Sequence, residues 1–305
     1  MMSQFVEQMK EKCPSLKLRQ GEPMAMHTTF QIGGPAELYA APSDKELPVL
    51  LSLAKTAQVP VTVIGKGSNL LVSDQGIKGL VIEIGKGMEE VVVCGTKVTA
   101  KAGATLGKVA QVAAEHGLGG FEFAAGIPGS VGGAVVMNAG AYGGEMKDVL
   151  LGVKVLDKDA NLLELSVEEL DLSYRHSCIE TNGYLVVEAT YELEPKPVEK
   201  IRNEMKELAK KRLEKQPLEY PSAGSTFKRP EGMFAGKLIM DAGLRGYRVG
   251  DAQVSEKHCG FVVNKGKATA DEVCRLIEDV QKKVWEEYQV LLEPEVKMIG
   301  VFDKA

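Results

Sequence analysis

Several features that mark other classes of protein are missing from this sequence of 305 residues. Its five cysteines include no Cys-x-x-Cys pair, so neither a disulfide framework nor a zinc cage is indicated. No uninterrupted apolar run is long enough to cross a bilayer, and the charged N-terminal segment lacks the apolar core of a signal peptide. The formal net charge of -5 gives no electrostatic reason to expect nucleic acid as a partner. We therefore expect a cytoplasmic protein with reduced thiols, no membrane insertion and no nucleic-acid partner.

The spacing of apolar residues predicts three well-marked helices. The first has its N-cap at Thr105 and runs through Glu115. The second lies at 198–215, and its predicted inward face consists of Ile201, Met205, Leu208 and Leu213. The third begins at Thr269, which has the spacing of a capping box with Glu272.

Hairpins and strand-like runs lie between these helices, with turns expected at Gly95 and at residues 158–161. Strands that alternate irregularly with helices and hairpins favour an α+β fold over a doubly wound sheet. Pro217 and Pro221 break the chain after the second helix, and we place a domain boundary there.

The first chemical signal is a tight glycine turn that follows a β-branched run. Consecutive backbone N–H groups in such a turn form a nest for anions. It is not a dinucleotide fingerprint, because Leu70 stands where that motif has its third glycine. In addition, a strand follows the turn where the fingerprint would have a helix. A hairpin turn and a phosphate cradle both remain open for this loop, which consists of Gly65, Lys66, Gly67, Ser68, Asn69 and Leu70.

The second signal is a longer glycine- and alanine-rich segment at 126–143. No charged residue lies between Phe123 and Gly144. We expect this segment to be too rich in glycine for a good helix and too apolar for a solvent loop. It suits the close approach of a large flat ligand such as a flavin with its pyrophosphate, or else a buried crossover packed against its own protein.

Together the two loops resemble the FAD-binding module of vanillyl-alcohol-oxidase-like flavoproteins. A wider set of motifs resembles the UDP-N-acetylenolpyruvoylglucosamine reductase (UDP-N-acetylmuramate dehydrogenase) family, in that family's order and over nearly the whole chain. These motifs are HTTFQIGGPAELY (27–39), LSYRHS (172–177), PSAGSTFKRP (221–230), GFVVN (260–264) and LEPEV (292–296).

The resemblance implies an α+β fold with three parts. Residues 1–78, completed by residues 291–305, and residues 79–215 would form the two subdomains of an FAD-binding module of the vanillyl-alcohol-oxidase/PCMH type. Residues 216–290 would form a smaller α+β substrate-binding domain. Only residues 178–183 separate LSYRHS from the next strand, which resembles the shorter subtype without a tyrosine-bearing lid loop.

The resemblance also implies an activity: NADPH-dependent reduction of UDP-N-acetyl-3-O-(1-carboxyvinyl)-glucosamine to UDP-N-acetylmuramate through bound FAD, in peptidoglycan precursor synthesis. We expect FAD to be non-covalent, because none of the four histidines lies in the glycine loops. The expected partners are the UDP-sugar and NADPH, with the chain as a monomer or a weak homo-oligomer.

Reduction of an enolpyruvyl group needs a cation for the developing enolate and an acid that supplies a proton. By resemblance, Arg175 stabilises the enolate, Ser225 donates the proton, and Glu295 shares or donates one. The implied substrate residues are Tyr142, Lys215 and Lys228, and no metal ligand is expected. The implied cofactor residues are Gly65, Lys66, Gly67, Ser68, Asn69, Leu70, Gly126, Ile127, Pro128, Gly129, Ser130, Gly133, Asn138, Gly140 and Ala141.

Two other functions remain open from the residues. One is another FAD-dependent oxidoreductase of the same module that acts on a small hydroxy acid, against which the motifs GSTFKRP and LEPEV speak. The other is a UDP-sugar-binding sensor, which would have no need to keep Arg175, Ser225 and Glu295 together.

Overall fold

The computed structural model describes residues 2–302, so the outermost residues of the predicted domains, 1 and 303–305, lie outside it. The chain forms two compact units, each built from several segments. The first unit contains residues 2–19, 39–66 and 79–212, and the second contains residues 20–38, 67–78 and 213–302. The three-part boundaries at 1–78, 79–215 and 216–290 stay a prediction.

Helices and strands alternate irregularly along the described residues. The helices are α1 (Met2–Lys12), α2 (Glu46–Thr56), α3 (Leu106–Glu115), α4 (Val131–Val136), α5 (Cys178–Asn182), α6 (Val198–Lys215), α7 (Ala235–Asp241) and α8 (Ala270–Tyr288). The strands are β1 (Leu18–Pro23), β2 (Pro35–Ala40), β3 (Val61–Ile64), β4 (Leu70–Val72), β5 (Ile77–Glu83), β6 (Val91–Cys94), β7 (Lys97–Lys101), β8 (Leu118–Gly119), β9 (Gly140–Ala141), β10 (Gly144–Glu145), β11 (Leu150–Leu156), β12 (Leu162–Ser166), β13 (Leu185–Glu192), β14 (Glu194–Pro195), β15 (Ser222–Ser225), β16 (Arg248–Val249), β17 (Ala252–Val254), β18 (Phe261–Asn264) and β19 (Lys297–Ile299).

The first unit is organised around a five-stranded sheet in the order β12-β11-β13-β7-β6, in which every neighbouring pair is antiparallel. The predicted turns at Gly95 and at residues 158–161 are confirmed as the β6–β7 and β11–β12 connections. The Thr105 side chain caps the N-terminus of helix α3, as predicted. The helix buries its apolar face. Strands β3 and β5 pair in parallel in the same unit.

The second unit combines a four-stranded sheet, in the order β15-β18-β17-β16, with helices α7 and α8. The predicted capping box is present, because the Thr269 and Glu272 side chains each bond to the backbone N–H of the other residue. Helix α8 buries one continuous apolar face, as its spacing predicts. Strand β19 returns to pair in parallel with β4.

Two local predictions are wrong. The glycine-rich segment does contain a helix, α4, because Val131, Ala134 and Val135 recur at helical spacing and pack against β13. This packing outweighs the low helix propensity of glycine. In α6, Leu213 is 63% exposed, whereas Arg212 continues the inward spacing that begins at the buried Ile201.

Among the described residues, none of the helices combines the length and the apolar character that a membrane span requires.

The N-cap of α8 provides a test of stability that is independent of any ligand. Thr269→Ala removes the hydroxyl that accepts a bond from the N–H of Glu272, and we expect a loss of about 1 kcal/mol in the free energy of unfolding. The neighbouring N–H groups of Ala270 and Asp271 keep their bonds to the Asp74 carboxylate. Urea unfolding should show a lower midpoint with an unchanged slope. Thr269→Ser keeps the hydroxyl and should lose much less; an equal loss in both variants contradicts the role of the cap.

Candidate active site and cofactor site

The two glycine-rich loops meet within the first unit. A methyl group on Gly65 would collide with Oγ of Ser130, so the backbone of one loop lies against the side chain of the other. Lys66, the next residue, forms a 3.8 Å ion pair with Glu89. The sequence-predicted residues Gly65, Lys66 and Ser130 are therefore neighbours in space.

Backbone hydrogen bonds join the second loop to the segment that leads from β7 into α3. Gly129 O accepts from the N–H of Leu106 at 3.1 Å, and the N–H groups of Val131 and Gly132 donate at 2.9 Å to the carbonyls of Ala104 and Ala102. This pairing fixes the path of the chain without any help from side chains.

The same loop leaves bare backbone at the surface. Gly126, Pro128 and Gly133 are exposed, while Ile127 and Gly129 are half-buried. A side chain on Gly133 would meet Ser130 only at an ordinary 3.6 Å, so the fold itself does not require glycine at that position. Exposed glycine that its own protein does not require suits the close approach of a flat ligand, and these residues fit FAD.

Arg212 lies beside this loop and was not identified from the sequence. A methyl group on Gly126 would lie 3.3 Å from both Cδ and Nη1 of Arg212. Burial lowers the pKa of this guanidinium, against a smaller opposite effect of Tyr142, and none of the described acidic side chains forms an ion pair with it. The signal was present in the helical spacing, which places residue 212 four positions after Leu208 on the inward face.

The remainder of the first loop belongs to the second unit. Gly67 is buried with φ +60°, and a methyl group there would collide with the carbonyl of His27, so the protein's own backbone requires this glycine. Ser68 is half-buried, and Leu70 begins β4. The side-chain amide of Asn69 donates to the carbonyl of Glu295 at 3.1 Å.

Asn138 is fully buried, and hydrogen bonds occupy its side chain. Nδ2 donates to Oε2 of Glu145 at 2.7 Å and to the carbonyl of Ser173 at 3.1 Å, while Oδ1 accepts from the N–H of Lys147 at 3.0 Å. This predicted cofactor residue therefore links the glycine-rich segment to the turn that carries Arg175.

Arg175 occupies a tight turn between Ser173 and His176, whose backbones exchange bonds of 3.2 and 3.1 Å. Its φ is +55°, in the left-handed region that favours glycine. The guanidinium lies 5.0 Å from the centre of the Tyr174 ring. After the turn, the hydroxyl of Ser177 donates to the carbonyl of Val136 at 2.8 Å.

In the second unit, Ser225 and Glu295 lie on neighbouring extended segments. Ser225 ends β15, and the N–H of Glu295 donates to the carbonyl of Thr226 at 2.8 Å. The Thr226 hydroxyl accepts from the N–H of Val262 at 3.0 Å, which anchors this segment to β18. Ser225 is half-buried, and its hydroxyl has no hydrogen-bond partner among residues 2–302. Of the three predicted catalytic residues, Arg175 belongs to the first unit and the other two to the second.

The remaining predicted residues lie in different surroundings. Tyr142 is exposed at the tip of the β9–β10 hairpin, with φ +54°, and Gly140 and Ala141 form strand β9. Lys215 is exposed at the end of α6. Lys228 is half-buried, and its Nζ lies 3.1 Å from Oε2 of Glu293.

Across residues 2–302, no group of three or more His, Cys, Asp or Glu side chains is arranged to hold a metal ion. His258 is half-buried, its Nδ1 accepts from the N–H of Gly260 at 3.1 Å, and burial lowers its pKa.

Comparisons with known proteins place these residues in a family. Residues 35–166 match the model described as an FAD binding domain, and residues 216–299 match the UDP-N-acetylenolpyruvoylglucosamine reductase, C-terminal domain. The UDP-N-acetylenolpyruvoylglucosamine reductase of Agathobacter rectalis is 61% identical over 98% of this chain and 99% of its own length. The protein of that name from Caldanaerobacter subterraneus is 51% identical over 97% of this chain and 98% of its own length. The crystal structure of the Thermus caldophilus reductase is 36% identical, covers 93% of this chain and 98% of its own, and has a TM-score of 0.77.

These matches confirm the predicted α+β fold with an FAD-binding module and a second domain. They also confirm the resemblance on which the expected chemistry was based.

A substitution at Gly133 tests whether FAD lies against the backbone of residues 126–133, without disturbing the fold. Gly133→Ala places a methyl group in α4 at a tolerated position, and replacing glycine in a helix should stabilise the apoprotein by about 0.5–1 kcal/mol. If FAD lies against this backbone, the flavin bound per chain should fall in Gly133→Ala and fall further in Gly133→Leu. Flavin absorbance of purified protein and titration of the apoprotein measure this. Full occupancy in both variants, with stable apoproteins, would remove Gly133 from the proposed cofactor site.

Proposed function

This chain belongs to the UDP-N-acetylenolpyruvoylglucosamine reductase family, and from that premise we propose which of its residues carry out the reduction. It is an FAD-dependent oxidoreductase of peptidoglycan precursor synthesis. The proposed reaction reduces UDP-N-acetyl-3-O-(1-carboxyvinyl)-glucosamine to UDP-N-acetylmuramate, with NADPH as the electron donor.

FAD, when bound, supplies the redox chemistry between the nicotinamide and the enolpyruvyl group. The residues proposed to hold it are those of 126–133, which are exposed at Gly126, Pro128 and Gly133, with Gly65 and Ser130 where the two loops meet. We propose that the cofactor is non-covalent, since neither loop contains a histidine.

Arg175 is proposed to stabilise the negative charge that develops on the substrate carboxylate as the alkene is reduced. A guanidinium stays charged and presents a planar fork of donors, which suits an enolate better than a point charge does. Its left-handed backbone supports this role, because strained residues of this kind gather at functional sites.

Ser225 is proposed to donate the proton to the substrate carbon, with Glu295 sharing or supplying a proton in the same step. The main support for this proposal is that the Ser225 hydroxyl has no hydrogen-bond partner among the described residues. In addition, the backbone N–H of Glu295 donates to the carbonyl of Thr226, the residue after Ser225. A hydroxyl that no internal bond holds can turn towards a substrate carbanion.

Tyr142, Lys215 and Lys228 are proposed to contact the UDP-sugar. Lys228 also forms an ion pair with Glu293, so substrate phosphates would share that cation. The short α5 that directly follows the Arg175 turn supports the subtype without a tyrosine-bearing lid. All five cysteines are free thiols, which supports the proposed cytoplasmic location, and we propose a monomer or weak homo-oligomer.

The role of Ser225 predicts different effects on the two half-reactions. Ser225→Ala should be reduced by NADPH at a near-normal rate, yet be reoxidised by the enolpyruvyl substrate slower by roughly two to four orders of magnitude, the usual range for a lost general acid. Stopped-flow flavin absorbance follows both steps. Ser222→Ala removes a hydroxyl from the same strand and should leave both rates unchanged. Equal slowing of both steps in Ser225→Ala would mean that Ser225 shapes the site and does not donate the proton.

Arg212 is proposed to bind a diphosphate, the anionic group that FAD and the UDP-sugar share. A half-buried cation without an acidic partner, beside exposed glycine backbone, lacks only the anion that would neutralise it.

Arg212→Met should weaken the binding of one diphosphate ligand by roughly ten- to hundredfold, the range for a charged hydrogen bond. Weaker FAD binding by the apoprotein assigns Arg212 to the cofactor, and weaker UDP binding at full FAD occupancy assigns it to the substrate. Lys211→Met, a change at the adjacent exposed residue, should alter neither affinity. Unchanged affinity for both ligands in Arg212→Met would overturn the assignment.

A further inference from the structure

Both amide hydrogens of the Asn138 side chain are engaged within the protein, so it has no donor left for a ligand. Two acceptors, Oε2 of Glu145 and the carbonyl of Ser173, occupy its amide hydrogens, and the N–H of Lys147 bonds to its oxygen. The residue is fully buried, so solvent does not compete for these bonds. The groups to which it bonds, in Glu145, Ser173 and Lys147, therefore indicate its function.

The bond to the carbonyl of Ser173 matters most, because that carbonyl also closes the Arg175 turn. It accepts from the N–H of His176 at 3.1 Å and from Nδ2 of Asn138 at 3.1 Å. Both lone pairs of one oxygen are thereby fixed, and so is the orientation of the peptide that begins the turn. The other end of the turn is held where the Ser177 hydroxyl meets the carbonyl of Val136, two residues before Asn138.

The turn needs such support because of its backbone. Arg175 has φ +55° at the third position of the turn, where glycine is the unstrained choice. A non-glycine residue keeps this conformation only when its surroundings hold it there. Asn138 itself has φ +39°, and the bond between its amide and Glu145 fixes the direction in which that amide points.

We propose that Asn138 is a positioning residue for Arg175: its amide, held by Glu145, clamps the carbonyl of Ser173 and so sets the direction of the guanidinium. This inference rests on the role proposed above for Arg175. It moves Asn138 from the predicted cofactor contacts to the support of the catalytic cation, through bonds that lie entirely within the first unit.

Asn138→Gly is the sharpest test, since glycine accepts the positive φ and the change removes the side chain without straining the backbone. Reoxidation of the reduced enzyme by the enolpyruvyl UDP-sugar should slow by roughly ten- to hundredfold, as expected for a misplaced catalytic group. Reduction by NADPH, flavin content and the dissociation constant of the UDP-sugar should stay within roughly threefold, because Arg175 acts on charge that develops during the reaction. Asn161→Gly removes an amide that bonds to Asp157 in the β11–β12 hairpin and should change none of these values.

The double variant separates positioning from general support of the fold. Asn138→Gly in an Arg175→Ala background should slow reoxidation no further than Arg175→Ala alone, because the clamp then has nothing to position. Additive slowing, or a fall in the NADPH step and flavin content together with reoxidation, would overturn the proposal. If Arg175→Ala itself leaves reoxidation unchanged, the role proposed for Arg175 fails instead.

Ser177→Ala provides an independent variant that does not alter Asn138. It removes the second anchor of the turn and should reproduce the selective slowing of reoxidation at unchanged flavin content. Normal reoxidation in both Asn138→Gly and Ser177→Ala would show that the turn holds Arg175 without its two anchors, which also overturns the proposal.

Discussion

A backbone that has to remain bare must be held in place by its own hydrogen bonds. In the first unit this constraint is met where residues 129–132 pair with residues 102–106. The pairing starts helix α4 at a fixed point, and Asn138 follows two residues after that helix ends. Through Asn138 and Val136, the same pairing determines where the Arg175 turn is anchored. The proposed cofactor site at residues 126–133 and the proposed catalytic cation thus share one backbone scaffold.

Left-handed backbone recurs among the predicted site residues of the first unit. Eight non-glycine residues in the described chain have positive φ, and three of them, Asn138, Tyr142 and Arg175, are sequence-predicted site residues of the first unit. Each is held by a local turn or by a buried hydrogen bond. Strain that the surroundings maintain at such positions is a common mark of function, and here it coincides with residues chosen on other grounds.

Local structure was predicted best where it depends on interactions between residues close together in the sequence. The Thr269–Glu272 capping box, the Thr105 cap and the turn at Gly95 depend on neighbours in the chain, and the structure has all three. Predictions that depended on tertiary contacts were less successful. Packing of Val131 and Val135 made a helix out of a glycine-rich segment, and Arg212 took the inward position that hydrophobicity alone had assigned to Leu213. The family motifs indicated Asn138, but its internal bonds could be seen only in three dimensions.

The division of the chain into interleaved segments has a consequence for its synthesis. Strand β4 pairs with β19, and Asp74 accepts bonds from the first turn of α8, so these parts of the segment 67–78 have partners near the C-terminus. At bacterial rates of translation, residues 79–212 take roughly ten to thirty seconds to emerge. The first unit is complete once residue 212 has emerged, so it can fold while residues 213–302 are still being made. The second unit must wait with an unpaired strand and without most of its core, which makes it the part of the nascent chain most in need of a chaperone.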